Sequence, residues 1–241
     1  MFSKDIFVNN KGKIKALFER NTFMEKDRNK DNEAEAVKLN LRAGKIFCFT
    51  IIGEIEGHIS APSNTKATKY EHIIPELVRI EEDKETDGVL FILNTIGGDV
   101  EAGLAIAELI ASMKKPTASI VLGGGHSIGV PLAVSAKKSF IVPSATMTVH
   151  PIRTNNLTIT APQTFKQMMK VQDRLIDFVS KHSSIEKEKF EELMLAKDNI
   201  ANDVGTVLYG EEAVDCGLID MTGGISEALF AIGEMINNKN S

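Results

Sequence analysis

Gly123-Gly124-Gly125-His126-Ser127-Ile128-Gly129 is the stretch on which the reading of this chain turns. The apolar run Thr117–Leu122 precedes it, and a second apolar run, Val130–Ala136, follows. The order reads as strand, tight glycine turn and helix, a connection typical of α/β folds. It predicts Ser127 at or near a helix N-terminus, where unpaired backbone N–H groups favour negative charge. A serine there can attack a carbonyl while nearby N–H groups hold the oxyanion. Residues 125–129 also satisfy G-x-S-x-G, a short pattern that depends on its strand–turn–helix setting for meaning.

A base is then needed. Ala145-Thr-Met-Thr-Val-His150 alternates like a strand and ends on a histidine. An α/β-hydrolase would place its acid and then its histidine well after the serine. His182, in Ser180-Lys-His-Ser-Ser184, is the other later histidine and reads as a solvated helix end. His150 is therefore the better base, and the pair points to serine hydrolase chemistry on a different fold. His126, next to the serine, points away from it in a regular turn. Asn94-Thr-Ile-Gly97-Gly98-Asp99 reads as a glycine turn between strand and helix. Without a Cβ, Gly98 lets its N–H approach a carbonyl, and Ile128 N–H supplies a second oxyanion donor.

Outward from these motifs, strand and helix patterns alternate. Strands are predicted at Ile46–Ile52 (stopping at Gly53), Gly88–Asn94, Ala118–Leu122, Ser139–Val142, Thr146–His150 and Val207–Leu208. Helices are predicted at Glu71–Lys84, Val100–Met113, Ser127–Ala136, Thr164–His182, Ile185–Ala196, Glu211–Cys216 and Ile225–Asn237. This is an α/β architecture with a largely parallel sheet. Residues 45–241 form one domain by this reading. Residues 1–44 form a charged extension, disordered or loosely helical around Glu25–Glu33, which has nothing to bury.

The net charge of -5 gives no case for nucleic-acid binding or for attraction to an anionic membrane. No apolar run approaches the ~20 residues that span a bilayer, and the charged N-terminus does not read as a signal peptide. The expectation is a cytoplasmic protein without stable membrane insertion. Cys48 and Cys216, far apart in apolar surroundings, read as reduced core thiols and not as a disulfide or metal site.

Four blocks carry a resemblance: Asn94–Gly103 (NTIGGDVEAG), Gly124–Val130 (GGHSIGV), Thr146–Pro151 (TMTVHP) and Ala213–Asp220 (AVDCGLID). In this order and spacing they resemble the ClpP-type serine peptidases, from about Lys45 to Ile225. Within that family the chain looks most like the divergent translocation-enhancing branch of spore-forming bacteria. The resemblance implies a ClpP/crotonase-like fold of repeated ββα units with a protruding handle helix, Thr164–His182. It implies a serine endopeptidase with Ser127 as nucleophile, His150 as base, and Gly98 and Ile128 as oxyanion donors. It implies no metal or organic cofactor, a peptide or unfolded-protein substrate, a homo-oligomeric ring, and an ATPase unfoldase partner. Its third catalytic member is an aspartate ahead of the last block. Asp203 is favoured over Asp198, which reads as the capped end of the preceding helix. Thr95-Ile96 stands where the family carries Ser-Pro, Asp99 brings a carboxylate beside the oxyanion loop, and Ile152–Asn156 replaces a glycine-rich handle segment. These departures bear on ring stacking and gating. A non-catalytic ring scaffold or adaptor and a crotonase-fold acyl-CoA enzyme are the alternatives.

Overall fold

The computed structural model describes residues 24–25, 36–41, 44–153, 162–200 and 203–239. Apolar segments rich in β-branched and aromatic residues form a mostly parallel sheet. Its main path runs β1 (Met24–Glu25), β2 (Ala36–Leu41), β3 (Gly44–Glu56), β5 (Gly88–Gly98), β6 (Thr117–Gly125), β7 (Lys138–Ile141) and β12 (Met221–Thr222). β4 (Ala67–Lys69) pairs with the far end of β3. β3, β5, β6 and β7 pair in parallel, and only β1 and β2 join the path antiparallel. The last turn of β6 leaves this path. Gly124 pairs there with Thr146 of β8 (Thr146–Val149), which pairs antiparallel with β11 (Thr206–Tyr209). β9 (Lys197–Ile200) and β10 (Asp203–Val204) form a separate antiparallel ribbon.

Helices cover both faces. α1 (Tyr70–Glu82), α2 (Val100–Ser112), α3 (Gly129–Val134), α4 (Pro162–His182), α5 (Lys187–Leu195) and α6 (Gly210–Asp215) lie on one side. Their apolar faces close a core around the fully buried Phe47, Phe49 and Phe91. α7 (Ile225–Lys239) covers the other face, with Leu229, Ile232 and Ile236 over Leu90, Ile120 and Phe140. The α/β architecture matches the sequence reading. Among the described residues no helix is long and apolar enough to cross a membrane. Cys48 and Cys216 are free thiols, and burial pushes Cys48 up to about 11.

Three expectations change. β3 does not stop at Gly53: it continues to Glu56 through a register shift at Gly53/Glu54. Gly97-Gly98 and Gly123–Gly125 likewise extend β5 and β6 and do not form turns. Gly97 and Gly98 mark close approach of backbones, while Gly123 and Gly124 leave room for the Asn94 and His126 side chains. A Cβ on Gly98 would lie 2.3 Å from the Ile55 carbonyl oxygen on the neighbouring strand. Finally, Ala36–Leu41, assigned to the extension, is a strand in register with β3. Its Val37 and Leu39 pack on the second core. The stretch Lys26–Glu33 of the charge block lies outside the described residues.

Asp83, capping the C-terminus of α1, ties this added strand to the body. Its carboxylate accepts bonds from Glu85 N–H (2.9 Å), the Thr86 hydroxyl (2.8 Å) and Lys38 Nζ on β2 (3.3 Å). The Glu85 N–H, then the Thr86 hydroxyl and Lys38, hold its carboxyl down at about 2, against the opposing effect of burial. A depressed carboxylate stabilises the fold above its unfolded pKa of about 4 and loses that contribution as pH falls toward 2. Unfolding free energy measured against pH should fall across this window, and Asp83→Asn should flatten it there.

Candidate active site

The site lies at the carboxyl ends of β5, β6 and β8, where ligands gather in open parallel sheets. Ser127 has φ +56, the one positive φ at a non-glycine among the described residues. A serine in that region costs energy and persists only where its surroundings fix it. Here they do. Ser127 N–H donates to Thr148 O (2.9 Å), and His126 N–H donates to Thr95 O (3.1 Å). Gly129 N–H and Val130 N–H bond back to His126 O and Ser127 O (2.8 and 3.0 Å). α3 starts at Gly129 with Ile128 as its N-cap, so the helix predicted from Ser127 to Ala136 is shorter at both ends. Ser127 stands two residues ahead of it, on a strained elbow.

The end of β5 fits against this elbow. Gly97 has φ +93, and a Cβ there would lie 2.6 Å from Ser127 Cβ and 2.9 Å from His126 O. Gly97→Ala should therefore displace the elbow, lowering both stability (by about 1–3 kcal/mol for the strained φ alone) and turnover. Chemical denaturation alongside a hydrolysis assay checks both. Buried Thr95 braces the same segment: its hydroxyl donates to Gly53 O (2.6 Å) and accepts from Gly97 N–H (3.0 Å). The Asn94 amide oxygen, at a register shift in β5, accepts from Gly124 N–H (2.9 Å). Asp99 does not burden the loop as its position suggested. Its Oδ1 caps α2, accepting from Ala102 N–H (2.8 Å).

His150 follows β8 directly. Its Nδ1 lies 2.6 Å from Pro151 O, and a carbonyl only accepts, so Nδ1 carries the proton. In the neutral ring the lone pair is then on Nε2. Ser127, His150, Gly97, Gly98 and Ile128 face one cavity of about 380 Å³, walled by Ile96, Val100, Val149, Leu175, Phe190 and Met194 among others. The structure thus brings the predicted serine, histidine and oxyanion-loop residues together. Ile152 N–H, beyond the histidine, donates to the Gln172 amide on α4 (3.3 Å).

The other histidines differ. His182 donates from Nδ1 to Phe178 O (2.8 Å) and stacks on the Phe178 ring, away from this cavity. His126 pairs through Nδ1 with the Thr148 hydroxyl (2.8 Å). Burial, and then the charge on nearby His150, pull its pKa below the usual histidine value. The sequence reading set His126 aside, and nothing in the residue pattern announced the Thr148 contact.

The side chains of Asp198 and Asp203 lie outside the described residues. Their backbones correct one expectation. α5 ends at Leu195, and Asp198 lies on β9, so it is not the capped end of a helix. β11 enters its pairing with β8 at Thr206 opposite Val149, which brings the chain around Asp203 toward the His150 end of β8. Among the described residues no three His, Cys, Asp or Glu side chains form a group that could hold a metal ion.

Comparison with known proteins fits this geometry. The Clp protease family model matches residues 44–226. The translocation-enhancing protein TepA of Halalkalibacterium halodurans is 54% identical over 199 residues, 83% of this chain and 78% of that protein. The ATP-dependent Clp protease proteolytic subunit of Deinococcus radiodurans is 28% identical over 156 residues, 61% of this chain and 71% of the relative. That of Leuconostoc citreum is 30% identical over 121 residues, 49% and 56% of the two chains. The matched span holds the serine elbow, the His150 strand and the glycine end of β5 in one fold, and the chain belongs to the Clp protease family.

Proposed function

We propose that this chain is a serine endopeptidase that cleaves peptide bonds through an acyl-enzyme. The carrying observation is Ser127, held at φ +56 on the rim of a cavity it shares with His150. His150 Nε2 takes the hydroxyl proton, Ser127 Oγ attacks the carbonyl, and the proton passes to the leaving amine. Water then attacks the acyl-enzyme by the reverse route. The N–H groups of Gly98 and Ile128 stabilise the oxyanion, each on the order of 10²–10³ in kcat. The test is labelling with an active-site serine phosphonate, located by peptide mass spectrometry. Label on Ser127 supports the reading, and an unlabelled protein sinks it.

Asp203 is the proposed acid toward His150. Its loss has a ceiling on the order of 10⁴-fold, the cost of a wrong imidazole tautomer. The Pro151 carbonyl already favours the right tautomer, so the observed loss should fall below that ceiling. Asp203→Asn should still lower kcat more than Asp198→Asn, and exchanged effects in steady-state kinetics would move the acid to Asp198.

The assembly proposed is a homo-oligomeric ring. The buried side chains of α4 are Leu175, Ile176, Phe178 and Val179, all in its second half. Phe165 (55% exposed) and Met169 (37%) stand out on the first half, an apolar surface suited to another subunit. The relatives' names support an ATPase partner and a link to protein translocation, and the proposed location is the cytoplasm.

A further inference from the structure

His126 sits one residue ahead of the nucleophile, and its contacts suit a brace better than a base. Its Nδ1 bonds the Thr148 hydroxyl at 2.8 Å, while the Thr148 carbonyl accepts from Ser127 N–H at 2.9 Å. One residue of β8 thus grips the elbow twice, by side chain and by backbone. Thr148 lies on β8 and His150 directly follows that strand, two residues on. The imidazole lies close over Gly124: a Cβ there would be 2.6 Å from its Nε2 and 2.7 Å from Cδ2. The missing side chain at Gly124 is what makes room for the ring.

We infer that His126 is a positioning residue: its bond to Thr148 fixes the strained Ser127 elbow against the strand that carries His150. The inference rests on the serine peptidase reading. Without the bond, Ser127 keeps one tie to β8 and its φ can relax, moving Oγ relative to His150. A misplacement near 1 Å costs on the order of 10²-fold in rate.

The experiment uses the full chain and the serine phosphonate, separating the inactivation rate constant from phosphonate binding. His126→Ala and Thr148→Val should each lower the rate constant by about 10- to 100-fold with binding unchanged. Thr148→Ser, which keeps the hydroxyl, should restore it. The double variant should be no worse than either single one, since both remove the same bond. Gly124→Ala pushes on the ring while His126 and Thr148 both stay unsubstituted, and it should lower the rate constant too. It keeps the inference testable if His126→Ala does not fold. His182→Ala should label like the wild type. Additive losses, or wild-type rates in Thr148→Val, would overturn the brace. So would abolished labelling in His126→Ala with Thr148→Val intact, which would make His126 a base. A wild type that takes no label removes the serine reading and the brace together.

Discussion

Ser127→Ala is expected to lose peptide hydrolysis by on the order of 10⁶-fold in kcat, the scale seen when a serine peptidase loses its nucleophile. The fold should survive. The elbow is fixed by backbone bonds from Ser127, His126, Gly129 and Val130, which alanine retains. Alanine adopts φ +56 at a cost similar to that of serine. The expected result is therefore an inactive protein with a melting temperature within a few degrees of the wild type. Steady-state hydrolysis with thermal denaturation reads both. Activity that survives the substitution would exclude Ser127 as nucleophile.

His150→Ala should match that loss in the same assay, because serine and base act as one unit and their effects do not add. The double Ser127→Ala/His150→Ala variant should be no slower than either single one. His182→Ala should be near neutral, since its imidazole bonds Phe178 O and stacks on the Phe178 ring outside the cavity. A large loss in His182→Ala beside an active His150→Ala would reassign the base.

Most of the architecture was legible because it follows apolar periodicity. The runs at residues 46–52, 88–94 and 118–122 are long enough to be buried strands, and the helical stripes of α2 and α7 are regular. The glycines misled. At Gly53, Gly98 and Gly123–Gly124 they read as turns, but they make room inside strands for neighbours that a Cβ would meet, namely Lys66 O, Ile55, Asn94 and His126, and no local pattern separates the two uses. β2 was legible in principle, with Val37 and Leu39 alternating with Lys38 and Asn40. The charge block before it hid the alternation. In the candidate site, motif and order alone single out Ser127, His150 and Gly98, and these three face one cavity. The contacts of Thr95 and His126 run through a hydroxyl and an imidazole to segments distant in sequence, and the proposed acid, Asp203, lies on a ribbon whose pattern resembles a helix end.

The division of α4 into two halves joins its order to its company. The second half is anchored by four buried side chains, while the first has little of the body beneath it. Helical stretches shorter than about 12–15 residues are marginal in water on their own, because nucleation is costly and each further bond gains little. In a lone chain the outer turns elongate from the anchored half and fray readily. In the proposed ring another subunit would cover Phe165 and Met169, and the same turns would gain tertiary contacts. Helix completion and subunit docking would then be one linked equilibrium, and dilution would draw both down by mass action.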